Sequence, residues 1–119
     1  MPEAQPDVQT FLPLTPAVFH VLLALVDADR HGYGIAKEVA ARTSDQVRLG
    51  PGTLYGTLTR LTEAELVEER PARGRPGADE RRRYYRITPL GRDVARAEAR
   101  RLASLVDIAR AKALLVRER

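Results

Sequence analysis

The thirteen residues 49–61, LGPGTLYGTLTRL, constrain the fold of this chain more than any other stretch. Pro51 suits the first position of a helix, because the N–H that proline lacks would have no helical partner there. Gly50 is then the N-cap. At about 100° per residue, three leucines share one face, which must be buried in a core: Leu54, Leu58 and Leu61. The stretch therefore predicts a short helix with one face inside the protein.

The opposite face of this predicted helix is bare, polar or cationic. Its residues are Gly52, Thr53, Gly56, Thr59 and Arg60, with Tyr55 beside them. A glycine inside a helix costs about 1 kcal/mol relative to alanine, and Gly56 would allow the backbone to approach another surface closely. We interpret the stretch as a DNA-recognition helix, whose outer face and open N-terminus suit base edges and phosphates. In the alternative interpretation, Tyr55 packs at the core edge and Arg60 is solvated.

Length and composition predict a single-domain cytoplasmic protein that is not an enzyme. The 119 residues include no cysteine, which excludes disulfides and thiolate metal sites. No apolar run is long enough to cross a membrane, and the N-terminus lacks the pattern of a signal peptide. His20 and His31 have no further ligands at metal-binding spacing, and no nucleophile has an evident base partner. We therefore expect no metal, no cofactor and no catalytic residue.

Positive charge is concentrated in one segment. The segment 70–86 contains seven arginines and only two acidic residues, Asp79 and Glu80. Its local charge therefore exceeds the net charge of the whole chain, which is +4. Codon bias would explain why arginine outnumbers lysine 18 to 2, but it does not explain the clustering. A basic cluster favours a polyanionic partner, and here we expect double-stranded DNA.

The order of the remaining patterns predicts a winged helix-turn-helix, mainly α with a small two-stranded β wing. Residues 1–13 look like a flexible arm, and Thr15-Pro16 begins an apolar helix to residue 26. A second helix over 33–40 precedes the recognition helix, and Lys37 on it is a candidate phosphate contact. Strands over 66–69 and 83–88 would flank the basic loop.

The predicted wing carries further candidate DNA contacts, namely Arg73, Arg75, Arg81 and Arg82. Arg73 and Arg75 belong to an Arg-Gly-Arg-Pro element of the kind that enters A·T-rich minor grooves. Loops rich in glycine and arginine are also common without that role. Phosphate contacts are the expectation for Arg81 and Arg82.

A second Thr-Pro pair, Thr88-Pro89, begins a predicted helix that runs to about Val116. Residues along it alternate spacings of four and three in a heptad seam: Ala95, Ala99, Leu102, Val106, Ala109, Ala113 and Val116, widened by Leu105 and Ile108. A helix of about 28 residues is roughly 40 Å long, more than a small core can cover. We predict a dimerisation helix over 89–119, supported by Val18 and Leu22 of the first helix, beside a DNA-binding domain over 14–88. Packing on its own domain is the alternative.

Four stretches of the chain resemble the PadR family of bacterial transcriptional regulators: 14–16 (LTP), 31–35 (HGYGI), 50–58 (GPGTLYGTL) and 82–91 (RRYYRITPLG). The resemblance implies a homodimeric repressor that binds inverted-repeat operators, with the helix from Pro51 in the major groove and the wing near the minor groove. It also implies a response to small aromatic molecules. Because the chain has no tryptophan, an effector pocket would be built from Phe19, Leu23, Leu102 and Ile108.

One alternative function is open at this point. A winged helix can be a protein-interaction module whose basic loop binds an acidic partner instead of DNA. That alternative gives no reason for Gly56 or for the threonine and arginine face of the predicted recognition helix.

Overall fold

The structure, a computed structural model, describes residues 7–71 and 83–116. Its elements in chain order are a short 3-10 helix Val8–Phe11, α1 Pro16–Val26, β1 Arg30–His31, α2 Gly32–Arg42, α3 Pro51–Glu63, β2 Val67–Pro71, β3 Arg83–Ile87 and α4 Pro89–Ala111. Helices dominate, and the strands form a small antiparallel sheet beside them. The mainly α winged-helix architecture predicted from the sequence is confirmed.

The helix starts lie where the Thr-Pro and Gly-Pro pairs place them. The Thr15 side chain accepts a hydrogen bond from the N–H of Val18 at 3.2 Å, and α1 begins at the following proline. The Thr88 side chain likewise accepts from the N–H of Gly91 at 2.9 Å and caps α4. Gly50 caps α3 without a side-chain hydrogen bond. The first turn of α3 therefore keeps N–H groups that no capping side chain covers.

The sheet has three strands, and the prediction of a two-stranded wing is wrong in this respect. β1 lies beside β3 in the order β1-β3-β2, with Arg30 opposite Tyr85 and His31 opposite Tyr84. Two residues are too few to show the alternation that reveals a strand, so β1 leaves no periodic signal.

The N-terminal segment from residue 7 to residue 14 packs on the domain. Asp7 caps the 3-10 helix by accepting the N–H of Gln9 at 3.0 Å. Val8, Phe11 and Leu12 then pack against the core. The flexible arm predicted for residues 1–13 is therefore a packed segment from residue 7 onward, while residues 1–6 lie outside the described part of the chain.

The core surrounds α1, whose inner face is fully buried within one chain. It meets buried side chains from every other helix and from the sheet: Ile35 and Val39 of α2, Leu54, Leu58 and Leu61 of α3, Val67 and Ile87 of the sheet, and Val94 and Ala95 of α4. Leu22 is fully buried in this core, and Ala95 is 5% exposed. The predicted roles of Leu22 and Ala95 in dimerisation are therefore wrong, because both side chains are already covered within the chain.

α4 ends at Ala111, five residues before the predicted end of the helix. The N–H of Leu114 returns to the carbonyl of Ala109 at 2.9 Å, and Ala113 adopts a positive φ of 63°. This hydrogen bond closes the helix in the manner of a Schellman motif. Ala113 and Val116 therefore lie beyond the helical seam, and the prediction that placed Ala113 in it is wrong.

We expect Glu65→Gly to stabilise the protein by about 0.5–1 kcal/mol. Glu65 follows α3 with φ of 62°, and the N–H of Leu66 returns to the carbonyl of Leu61 at 3.0 Å. A left-handed residue with a Cβ is strained, whereas glycine adopts this conformation readily, although its unfolded chain is more flexible. Urea unfolding of both proteins measures the difference. If the variant unfolds at a lower midpoint urea concentration than the wild type, the backbone at this end of α3 is not strained.

Candidate nucleic-acid interface

The two faces of α3 differ as the spacing of its leucines indicates. Leu54, Leu58 and Leu61 are buried, whereas the outward residues Gly52, Thr53, Tyr55, Thr59 and Arg60 are exposed and Gly56 is half-buried. Thr57, which the sequence analysis does not assign to the core, is also buried, and its hydroxyl has no hydrogen-bond partner in the described structure. The helix therefore lies half in the core, with its whole outer side uncovered by the described parts of the chain.

The centre of this outer side is bare. A Cβ added at Gly50, Gly52 or Gly56 would meet no atom within 4 Å. At about 100° per residue, Gly52, Gly56 and Thr59 point most directly away from the buried leucines. Glu63 shares this direction, but it lies in the last turn, at the end opposite the open N-terminus. The first two turns of α3 can thus approach a surface more closely than a helix bearing larger side chains.

Tyr55 contacts α2 and is also exposed. A Cβ added at Gly32 would overlap the Tyr55 hydroxyl and lie 2.8 Å from its Cζ, so the ring covers the first residue of α2. The Tyr55 residue nevertheless remains 48% exposed. The two interpretations of Tyr55 are compatible, because one side of the ring holds α2 and α3 together and the other side is available for a ligand.

The start of α2 adds an exposed aromatic group that the sequence analysis misses. His31 Nδ1 accepts the N–H of Gly34 at 3.0 Å, so the imidazole is a helix cap. The His31 ring lies parallel to the ring of Tyr33, with centroids 6.4 Å apart, and edge-on to Tyr84 at 5.8 Å. Tyr33 is 67% exposed, and Lys37 Nζ lies 5.4 Å from its ring centroid. The signal that could have identified this exposed aromatic group is a tyrosine in the first turn of the helix that precedes a recognition helix.

Lys37 and Arg60 have no carboxylate partner within 4.0 Å among the residues the structure describes, whereas most neighbouring arginines are paired. Arg42 binds Glu38, and Arg48 binds Asp45. The three described arginines of the basic cluster pair with acids outside it: Arg70 with Glu68, Arg83 with Glu69, and Arg86 with Asp29. Lys37 and Arg60 therefore supply positive charge beside α3 that no described acid offsets.

Four predicted wing contacts cannot be placed. Arg73, Arg75, Arg81 and Arg82 lie outside the described residues, as does the loop that carries them. The strands on either side of the loop are paired in register from Val67 opposite Ile87 to Pro71 opposite Arg83. The loop therefore leaves the sheet at the Pro71–Arg83 end.

The last turns of α4 carry apolar side chains that the described residues do not cover. Leu105, Val106 and Ile108 are exposed, with Ile108 at 51%. Of the other predicted dimer contacts, Ala99 is exposed, Leu102 and Ala109 are half-buried, and Val18 packs partly against the core. Several exposed apolar side chains grouped at one end of a helix indicate an interaction surface.

The four residues of the predicted effector pocket differ in exposure. Phe19, Leu23 and Leu102 are half-buried, and Ile108 is exposed. An open groove of about 440 Å³ lies between the N-terminal segment and α4, and its lining residues include Leu12, Arg100 and Leu105. None of the four predicted residues lines that groove.

Neither a metal site nor a membrane span is found in the described residues. No group of three histidine, aspartate or glutamate side chains there is arranged to hold a metal ion. Within residues 7–71 and 83–116, no helix is both long and apolar enough to cross a bilayer.

Comparison with known proteins identifies one family. The family model described as Transcriptional regulator PadR-like family matches residues 21–97. The chain is 36% identical over 88 residues to Transcriptional regulator Rv3488 of Mycobacterium tuberculosis, covering 72% of this chain and 75% of that protein. It is 40% identical over 85 residues to an uncharacterized 37.1 kDa protein in transposon TN4556 of Streptomyces fradiae, covering 71% of this chain and 22% of that protein.

A solved structure has the same fold. The crystal structure of a PadR family transcription regulator from Clostridium difficile R20291 superposes with a TM-score of 0.69 at 22% identity, covering 82% of this chain and 97% of that chain. At this identity the likeness establishes the fold.

Proposed function

The chain belongs to the PadR-like family of transcriptional regulators, and we propose that it represses transcription by binding an inverted-repeat operator as a homodimer. The observation that carries this proposal is the outer face of α3, where Gly52 and Gly56 leave open space in front of the helix. An α-helix fits the major groove, and the N-terminal residues of a recognition helix reach the base edges. Thr53, Tyr55 and Thr59 are the candidate base contacts on this face.

The charges beside α3 support a DNA ligand. Lys37 and Arg60 are not offset by described acids and suit phosphate contacts on either side of the groove. The exposed rings of Tyr33 and Tyr55 lie near the start of α2, where hydroxyl groups suit sugar or phosphate contacts. An acidic protein partner would use the same cations, but it would not require the glycines of α3.

The homodimer proposal rests on the apolar end of α4. Ala99, Leu102, Leu105, Val106 and Ala109 recur on one side of the helix at spacings of three and four. Two copies that pack this strip together form a symmetric pair, and a two-fold protein matches an inverted repeat. Release by a small aromatic effector is a further part of the proposal, with Phe19 and Leu23 on α1 and Leu102 and Ile108 on α4 as the residues to test.

A gel-shift screen with the DNA upstream of the protein's own coding sequence tests the proposed function. We expect a shifted complex that specific competitor removes and unrelated duplex does not. An interaction module that binds an acidic partner would show no sequence preference. Equal competition by every duplex would therefore contradict the proposal.

We predict that the double variant Arg73→Ala/Arg75→Ala binds the operator more weakly and with a smaller salt dependence. Each phosphate contact adds about 0.9 to the slope of log K against log salt, so the loss of two contacts from each protomer of the homodimer reduces the slope by about 3.6. Fluorescence anisotropy at several salt concentrations measures this slope. Arg96→Ala/Arg100→Ala removes the same charge from α4 and is the control. If the wing variant binds like the wild type at every salt concentration, the wing does not contact DNA.

A further inference from the structure

Glu98 is a buried charge in the middle of α4. It is 2% exposed, and its carboxylate accepts two hydrogen bonds from Arg101. Nε donates to Oε1 at 2.8 Å, and Nη2 donates to Oε2 at 2.7 Å. Charged side chains are almost never fully buried unless they are paired. The Arg101 side chain itself remains 35% exposed. The pair therefore has one partner inside the domain and one at its surface.

The same carboxylate also holds the N-terminal segment. The N–H of Leu14 donates to Glu98 Oε1 at 3.3 Å, just before α1 begins. The hydrogen bonds from Arg101 and from the Leu14 backbone hold the pKa of Glu98 below its ordinary value, although burial opposes this shift. Glu98 is consequently charged at neutral pH and joins two parts of the chain, α4 and the end of the N-terminal segment just before α1.

Stability alone gives a weak reason for this arrangement. A buried ion pair can often be replaced by apolar side chains of similar size without loss of stability, because its desolvation offsets the attraction between the charges. Such a pair instead fixes the orientation of its two side chains, since its hydrogen bonds are satisfied in only one arrangement. Both charges lie on α4, so the pair orients the Glu98 carboxylate, and the hydrogen bond from the N–H of Leu14 to that carboxylate links α4 to the N-terminal segment.

The direction of α4 determines where its apolar end points. From Glu98 the helix continues about 20 Å to Ala111, and Leu105, Val106 and Ile108 lie exposed on that part. A tilt of about 5° at Glu98 moves the end of the helix by about 1.7 Å. In a symmetric pair the two displacements add to about one base-pair step of 3.4 Å.

We propose that Glu98 is a positioning residue for DNA recognition: its carboxylate, oriented by Arg101 one turn along α4, accepts the N–H of Leu14 and so fixes the tilt of α4 on the N-terminal segment, and thereby the distance between the two recognition helices of a dimer. This inference rests on the proposed function, since it requires a homodimer paired through α4 and bound to two half-sites. Its consequence is specific. The clasp formed by Leu14, Glu98 and Arg101 determines which half-site spacing is preferred, separately from the affinity of each α3 for its half-site.

The double variant Glu98→Met/Arg101→Met tests the proposal, because it removes both charges and keeps apolar bulk. Operators whose half-sites are separated by the natural spacer, or by one base pair more or less, are compared by fluorescence anisotropy. We expect the wild type to prefer the natural spacer by about tenfold or more, and the variant to discriminate by less than about threefold. Gel filtration and circular dichroism confirm that the variant is folded and dimeric.

A matched control lies on the same helix. Asp93 and Arg96 form an ion pair of the same spacing at 3.0 Å, with both side chains more than half exposed. Asp93→Met/Arg96→Met should keep the spacing preference of the wild type. If the first double variant does not fold, Glu98→Met alone replaces it, because it removes the acceptor for the N–H of Leu14 while the partly exposed Arg101 keeps its charge in contact with water.

The outcomes separate the inference from the proposed function. Loss of spacing discrimination in the Glu98 variants, with the control unchanged, supports the positioning role. An unchanged preference, or an equal loss of affinity at all spacers, overturns it while the proposed function stands. A wild-type protein that binds no duplex of any spacing overturns the proposed function and this inference with it.

Discussion

Alanine at position 91 is expected to lower the free energy of unfolding by about 2–3 kcal/mol. Gly91 lies in the first turn of α4, where the helix crosses the junction between α3 and β2. An added Cβ would overlap the carbonyl oxygen of Leu66 and lie 2.8 Å from Cγ1 of Ile87. The Leu66 carbonyl also accepts the N–H of Thr88 at 3.0 Å, so this backbone cannot move away without losing that hydrogen bond.

Thermal and urea unfolding measure this effect, and Gly56→Ala is the matched control. Alanine favours a helix over glycine by about 1 kcal/mol, and at position 56 an added Cβ meets no atom within 4 Å. The same substitution should therefore stabilise the protein at position 56 and destabilise it at position 91. Two stabilising results would show that α4 does not approach the Leu66 carbonyl as closely as the structure indicates.

Glutamine at position 56 is expected to reduce operator affinity by about 100-fold while leaving the fold intact. Space in front of Gly56 accepts a larger side chain in the absence of DNA, and glutamine is a better helix former than glycine. On the operator, the same side chain would stand between the α3 backbone and the base edges and would keep Thr53 and Thr59 from their contacts. The substitution acts in both half-sites of the operator, and one lost base contact in each, at about 1–3 kcal/mol, already corresponds to a change of this size.

The control for Gly56→Gln is Glu65→Gly, which lies just beyond the end of the same helix. Both variants should be more stable than the wild type, but only position 56 lies on the proposed contact face. Fluorescence anisotropy with the operator should therefore show wild-type affinity for Glu65→Gly. Wild-type affinity for Gly56→Gln as well would exclude a close approach of this face to DNA.

The sequence predicts the helix starts and the two faces of α3 because these follow from local chemistry. A threonine or glycine before a proline is nearly sufficient by itself to mark a helix start, and leucines at helical spacing must face a core. The ends of the helices are less visible. Ala113 and Glu65 close α4 and α3 with a positive φ that glycine normally signals, and neither residue type reveals it.

Periodicity identifies the residues that share a face, but it does not identify what covers that face. Ala95 fits a dimer seam by spacing and Leu22 belongs to an apolar helix, but the structure shows that the domain's own core covers both. Glu98 looks like an ordinary surface residue on a charged helix, because its burial depends on an N-terminal segment 84 positions away in sequence. Such long-range contacts determine the interface of the domain with α4, and no local pattern encodes them.

Selection of bound sequences from a random duplex library tests most directly the central claim that the bare face of α3 reads DNA. For the wild type we predict enrichment of an inverted repeat whose half-site centres are about one helical turn, or a multiple of it, apart. Gly56→Gln, folded and at least as stable, should enrich no such repeat. Recovery of the same repeat with both proteins, or no enrichment by the wild type even at low salt, would contradict the account.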